Sequence, residues 1–467
     1  MQNQKIDKQQ AGEKLIRVVA FTLIISVMNA TMFNIALPSI AQEFTLTASQ
    51  VSWVVTAYII IYAVGSVTYG KLADKLPLKD LLTIGFTLFA LGSLVGFAAT
   101  EFWMIILGRV LQSMGASVIP ATAMVIPIRY FSPATRGRAL GITSSGLALG
   151  AAIGPVVAGL VTTLSDWRYL FGLSLLVLLT LPYYRKYLDS ETGNDGSIDL
   201  LGGSLLAVTI TFFLLGITKG SLVLSLVGLV LLFLFLMRIK QAREPFIAPS
   251  LFLNKQYSIA LLVSFLTNAV SFGIPFLIPQ MLAGLNHLSP AWIGFTLFPG
   301  AIIASLLGRT GGKLADKKGN VFLVTLAAAL QFSSFFLLSI SAGLSNLIII
   351  WFLILGNIGQ TFIQIGLSNT VSRTLSKGQA GVGMGLYMMF NFIAGAIATT
   401  VYGKVLDSQG TDIQWNPLLI NHDAALFSNI FFVLTLMVIM ITAVFILQFG
   451  HRKKKKELDP KLDVKKA

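Results

Sequence analysis

The residues equipped for chemistry in this chain are few, and they suit recognition better than bond making. Arg109 sits deep in an apolar stretch, and Gln112 follows it one turn later on the same helical face. A charge in that setting is costly and marks a functional site by default. Two placements are open. The guanidinium either joins a polar interior, where Asn29 or Asn34 can meet it, or snorkels to the outer surface about six residues away. Amides and phenols recur at comparable depth: Tyr58, Tyr62, Asn268, Asn357, Gln360, Gln364 and Asn391. With Asn29, Asn34, Arg109 and Gln112 they form the expected lining of a substrate cavity. Neutral amides beside aromatic rings suit an uncharged or amphipathic, drug-sized molecule, and a strongly cationic one would want a buried carboxylate opposite it.

Catalytic chemistry is excluded on simple grounds. The chain has no cysteine and only three histidines, His287, His422 and His451, none paired at metal-ligand spacing. The Gly311-Gly312-Lys313 run continues into Leu314 and lacks the upstream glycine of a nucleotide-binding loop. No enzyme activity, cofactor or metal is expected, and an ATP-driven pump is not. None of the nineteen acidic residues falls within an apolar span. A proton relay would therefore have to use a boundary carboxylate such as Asp74 or Asp166.

These side chains must be positioned by membrane helices. The chain has 467 residues, 55% hydrophobic and 11% charged, with mean hydropathy +0.80; a soluble protein is typically about 25% charged. Apolar runs predict fourteen spans: 15–38, 51–70, 81–99, 103–127, 139–161, 167–184, 200–217, 221–237, 257–283, 291–308, 321–340, 346–370, 380–403 and 424–448. With a cytoplasmic N-terminus, the inner segments carry 30 of the 34 lysines and arginines, and the outer loops carry Arg168, Lys219 and Lys404. That is the positive-inside pattern. It places both termini in the cytoplasm of a multi-pass plasma-membrane protein. The net charge of +15 thus records topology rather than a nucleic-acid partner. The basic tail can touch anionic lipid headgroups, and Asp166-Trp167-Arg168 reads as an anchor at the outer interface.

The chain also repeats. Gly70-Lys71-Leu72-Ala73-Asp74-Lys75 recurs as Gly312-Lys313-Leu314-Ala315-Asp316-Lys317, and Leu107-Gly108-Arg109 is echoed by Leu355-Gly356-Asn357. Two related halves are a transporter architecture. The expected organisation is an arm (1–14), a six-helix bundle (15–184), a linker (185–256) with two inserted helices at 200–217 and 221–237, a second six-helix bundle (257–448) and a basic tail (449–467). Gly70, Asp74, Lys75, Lys79, Gly312 and Asp316 are expected to form a cytoplasmic latch, since an aspartate there can cap a neighbouring helix or pair with a base. Gly146, Gly150 and Gly154 recur every four residues beside Pro155, which suggests a close, bendable seam between the halves.

The repeated loop, Asn29 to Pro38, Arg109-xx-Gln112-xx-Gly115, Gly150-xxx-Gly154-Pro155-xxx-Gly159 and Glu244 to Asn254 together resemble the major facilitator superfamily. More narrowly, the chain is similar to its fourteen-helix drug:proton antiporters, which include Gram-positive tetracycline and multidrug exporters. Pro77, Ser113 and Asn29 depart from that pattern, standing where glycine, glycine and often aspartate are usual. The resemblance implies an all-α bundle of fourteen transmembrane helices in a bacterial membrane, acting as a monomer. It implies alternating-access export of lipophilic small molecules against protons, with Arg109 facing the cavity. Import or uniport of a neutral metabolite, or lipid flipping, remain open on the same scaffold.

Overall fold

The computed structural model describes residues 2–73, 76–131, 133–189, 199–375, 380–408 and 414–450. Fourteen helical rods run through the described residues. The first six are α1 (Gln2–Glu43), α2 (Ala48–Gly70), α3 (Leu78–Phe97), α4 (Phe102–Pro127), α5 (Pro133–Leu164) and α6 (169–187). Two more, α7 (Leu200–Lys219) and α8 (Leu222–Gln241), form a hairpin. The last six are α9 (Lys255–Gly284), α10 (Pro290–Lys318), α11 (Asn320–Ile340), α12 (Asn346–Arg373), α13 (Ala380–Asp407) and α14 (Ala425–Phe449). All but α6 are long and apolar enough to cross a membrane. This is an all-α polytopic membrane protein. The face from which α1 starts and α14 ends is called the terminal face below, and the opposite one the distal face.

The departures from straight helix have local causes. A proline cannot donate to the carbonyl four residues earlier. Pro120 therefore breaks α4 at Ser117, and Pro275 breaks α9 at Phe272. In α6, Pro182 cannot reach the Leu178 carbonyl, and Leu181 takes it instead in a tighter turn. Leu175–Thr180 is accordingly 3-10 helix. Even apolar periodicity at 167–184 gave no sign of that change in pitch.

The packing shows the internal repeat. In one bundle α1 lies on α5, α4 on α2 and α3, and α6 on α3. In the other, α9 lies on α13, α12 on α10 and α11, and α14 on α11. Two seams join them, α5 on α10 and α2 on α13, which the repeat makes equivalent. The hairpin α7–α8 sits against α2 and α13 through α7. Gly220 closes it at φ +60°, a left-handed turn that favours glycine. At its other end Asp199 accepts from the Gly202 and Phe246 amides (3.0 and 3.3 Å) and from Arg238 Nε (2.9 Å).

At the distal face Trp167 is buried at 4% exposure, not displayed to an interface as the sequence suggested. Its indole donates to Glu43 (2.6 Å), which also pairs with Arg168 (2.6 Å). Burial works against the Arg168 charge, but Glu43 and Asp166 outweigh it and raise its pKa. The chain therefore uses this triplet to clamp the ends of α1, α3 and α6, with Arg168 Nε reaching the Ala99 carbonyl at 2.7 Å.

Burial also opposes the Asp199 carboxylate, yet the Gly202 amide, Arg238 and the Phe246 amide hold its pKa below the ordinary value. Asp199→Ala should destabilise the hairpin by about 1–2 kcal/mol, a cap loss plus a pair discounted for a half-exposed arginine. Because the folded-state pKa is lowered, the advantage of wild type over Asp199→Asn is complete above about pH 4 and disappears as pH falls through the lowered value. Thermal unfolding in detergent across that range measures it.

Candidate substrate cavity

A cavity of about 380 Å³ lies between the bundles. α1, α2 and α5 form one wall, and α9, α10, α12 and α13 form the other. Five of the expected residues line it: Asn34, Tyr58, Tyr62, Asn357 and Gln360. Tyr58 and Tyr62 stack with centroids 5.8 Å apart, and Tyr62 meets Phe392 edge-on at 5.0 Å. This aromatic ladder crosses from one bundle to the other. Asn357 donates to the Leu353 carbonyl at 2.8 Å, which leaves its side-chain oxygen for another donor. Among the described residues no ionisable carboxylate, lysine, arginine or histidine lines this cavity.

Arg109 is neither at the outer surface nor in the cavity. It is fully buried inside the N-terminal bundle. Its Nε donates to the Val54 carbonyl (3.0 Å), and one terminal nitrogen donates to Asn29 Oδ1 (2.9 Å) and Gln112 Oε1 (3.0 Å). Asn29 donates onward to Ser174, and Gln112 to Ser93 (2.8 Å). Both serines then donate to helix carbonyls, those of Leu170 and Phe89. The guanidinium is also held between the Phe33 and Tyr58 rings, 4.2 and 3.9 Å from their centroids. So the expected contact with Asn29 forms, while Asn34 faces the cavity instead. Arg109, Gln112 and Asn29 are wall supports, and Arg109 reaches the cavity only through Tyr58.

Asn268, Gln364 and Asn391 are not in the main cavity either. They line a separate void of about 10 Å³ between α9, α12 and α13, where Asn268 and Asn391 are buried and Gln364 is exposed. Gln360 and Gln364 are one turn apart, yet Gln360 lines the main cavity and Gln364 the smaller void.

The glycines of α5 also serve a different contact from the one expected. A Cβ on Gly146 or Gly150 would sit 2.6 Å from the Ala20 or Ile24 carbonyl, and one on Gly154 would strike Thr31. All three therefore seat α5 on α1 within one bundle. The contact between bundles comes from Pro155 and Val156 against Gly294, and from Gly159 against Pro290 and Ala291. At the terminal face, a Cβ on Gly70 or Gly312 would meet nothing within 4 Å among the described residues, and these show no close approach of helix ends there. Asp74 and Lys75 lie outside the described residues, as does the Asp316 side chain. Of the other latch residue, Lys79, the backbone carbonyl accepts from Thr83. Sequence reasoning missed Phe272, Pro275, Leu297 and Phe392 as cavity residues. As apolar residues in apolar helices, only the α9 proline break singled any of them out.

Arg109→Ala would strand three acceptors in the bundle interior, so we expect a loss of about 3 kcal/mol or more. Arg109→Lys should recover little, because an ammonium cannot lie flat between two rings. Gly150→Val should lower folded yield, whereas Gly70→Ala should be silent. Thermal unfolding and gel filtration of the purified variants test all four.

The fold is shared with solved transporters. A POT family transporter crystallised with 5-aminolevulinic acid superposes with a TM-score of 0.70 at 14% identity, covering 93% of this chain and 95% of that one. The chain is 29% identical to the riboflavin transporter RibZ of Clostridioides difficile over 66% of its own length and 69% of the relative's. It is 24% identical to the multidrug efflux pump SdrM of Staphylococcus aureus, over 84% and 89%. The family model of the Major Facilitator Superfamily matches residues 19–399. With two equivalent bundles enclosing a solute-sized cavity, the chain belongs to the Major Facilitator Superfamily and is a secondary transporter of small molecules, not an enzyme.

Proposed function

We propose that this protein carries a neutral, planar ring compound with hydrogen-bonding edges, moving it down its gradient as a uniporter or importer. The observation that carries the reading is the character of the cavity wall. Asn34, Asn357 and Gln360 offer amide donors and acceptors, Tyr58, Tyr62, Phe272 and Phe392 offer ring faces, and no charge joins them among the described residues. An uncharged cavity does not compensate an ionic solute. It also holds no carboxylate to take a proton in exchange for cargo. Its volume falls in the range of small-molecule sites. The similarity to a riboflavin transporter suggests a flavin-like heteroaromatic ring as the first compound to try.

A second reading, export of lipophilic drugs against protons, is favoured by the similarity to a multidrug efflux pump. One set of measurements separates the two. Radiolabelled riboflavin should enter proteoliposomes containing the protein, and entry should persist after the pH gradient and membrane potential are collapsed. Asn34→Ala and Gln360→Ala should each slow uptake about five- to tenfold, the effect of one lost hydrogen bond. Absence of uptake, together with increased sensitivity of a deletion strain to lipophilic antibiotics, would replace this reading with export.

A further inference from the structure

On the distal side of the cavity the bundles meet directly along two seams, while between α1 and α9 a second cleft of about 500 Å³, lined by Pro38, Gln42, Gln280 and His287, lies at that face. The α2–α13 seam runs outward from the aromatic ladder in successive rungs. Thr56 Oγ1 meets Thr399 Oγ1 at 2.9 Å and Thr400 Oγ1 at 3.3 Å. Next, Gly403 lies against Ala48 and Ser49, where a Cβ would come within 2.9 Å of the Ala48 carbonyl. Last, Asp407 at the C-terminus of α13 takes the Ser49 amide at 3.1 Å and the Ser49 hydroxyl. A carboxylate in the first turn of α2 satisfies amides that have no partner in their own helix and meets the positive end of its dipole. The hairpin adds a tie across the same seam. Thr218 of α7 accepts from Trp53 Nε1 of α2 through its hydroxyl (3.0 Å) and from Lys404 Nζ of α13 through its carbonyl (3.3 Å). One residue of the inserted pair thus takes a bond from each bundle. On the other seam, Ala291 of α10 donates to Thr163 of α5 at 2.9 Å. On the side of the cavity toward the terminal face, the lining residue Leu147 is 43% exposed.

We propose that Asp407 and Thr218 are positioning residues of the transport cycle. Together they form a reversible latch that holds the α2–α13 seam shut at the distal face while the cavity opens to the terminal face. Asp407 joins the bundles directly, and Thr218 gives the inserted hairpin a role in the cycle by stapling them. The bonds are local and involve few groups, so they can be exchanged for water when the bundles rock apart. A change of state needs differential contacts of this kind, present in one state and absent in the other.

The chain has no cysteine, so single-cysteine reporters are clean. Ala301→Cys places one on the cavity wall. A membrane-impermeant maleimide is applied to right-side-out and to everted vesicles, with no substrate needed. In the parent reporter, labelling should be fast from the terminal face and slow from the distal face. Adding Asp407→Asn or Thr218→Val should raise distal labelling about three- to tenfold, the population shift expected from one or two lost hydrogen bonds, and lower terminal labelling. The opposite movement of the two rates is what a general loosening of the fold does not produce. Ser49→Ala, which removes one donor and keeps the Ser49 amide, should give a smaller change in the same sense and covers the case in which Asp407→Asn fails to fold. Unchanged labelling from both faces in Ser49→Ala and Thr218→Val overturns the latch. Since the readout is access and not cargo, that failure leaves the riboflavin experiment unaffected, and a wrong cargo leaves the latch standing.

Discussion

A guanidinium buried in the N-terminal bundle has to be stabilised without a carboxylate, and much of that bundle is arranged around the requirement. Arg109 binds α1 through Asn29, α2 through the Val54 carbonyl and its own helix through Gln112. The chain of donors then runs to Ser174 on α6 and Ser93 on α3. Five helices are therefore fixed by one charge, and the positive potential is spread over dipoles instead of being cancelled by a single anion. Two rings complete the enclosure, and one of them, Tyr58, is also a cavity wall. The most polar group in the bundle thus sets the position of an aromatic surface on the cavity wall.

The C-terminal bundle has the same topology with different chemistry. Asn357 stands where the echo of the Arg109 segment places it, but it faces the cavity. Asn268 Oδ1 and Asn391 Oδ1 are buried without a hydrogen-bond partner among the described residues. In the N-terminal bundle Arg109 Nη2 and Tyr58 Oη are likewise buried without a hydrogen-bond partner among the described residues, so each bundle keeps unpaired polar atoms in its interior. Buried polar groups left unpaired raise the energy of the arrangement that leaves them so.

The seams divide labour in a related way. Inside each bundle, glycines bring backbones together over long stretches, as Gly146, Gly150 and Gly154 do for α5 on α1. Between bundles, α5 packs along α10 and α2 along α13, and toward the distal ends these seams are closed by Pro155, Gly159, hydroxyls and one carboxylate. The hydrogen bonds among them can be exchanged for water at little net cost.

What the sequence determined by itself was set by the membrane. Fourteen apolar runs and a repeated hexapeptide specified helix number and two related halves, since helices in lipid must satisfy their own backbone groups. The absence of acidic residues from the apolar runs also pointed to recognition by neutral groups. Only the tertiary structure decided which polar residues share a space. Helical spacing puts Gln112 on the face of Arg109, but it does not say whether that face meets the cavity, the lipid or another helix of the same bundle. The rotation of each helix about its axis settles that. In a uniformly apolar helix the rotation is set by contacts with its neighbours, such as the α5 glycines against α1 or the proline break in α9, and these contacts exist only once the helices are assembled. For that reason Asn29, Arg109 and Gln112 proved to be support for the wall, while Asn34, Tyr58, Tyr62, Asn357 and Gln360 form the wall itself.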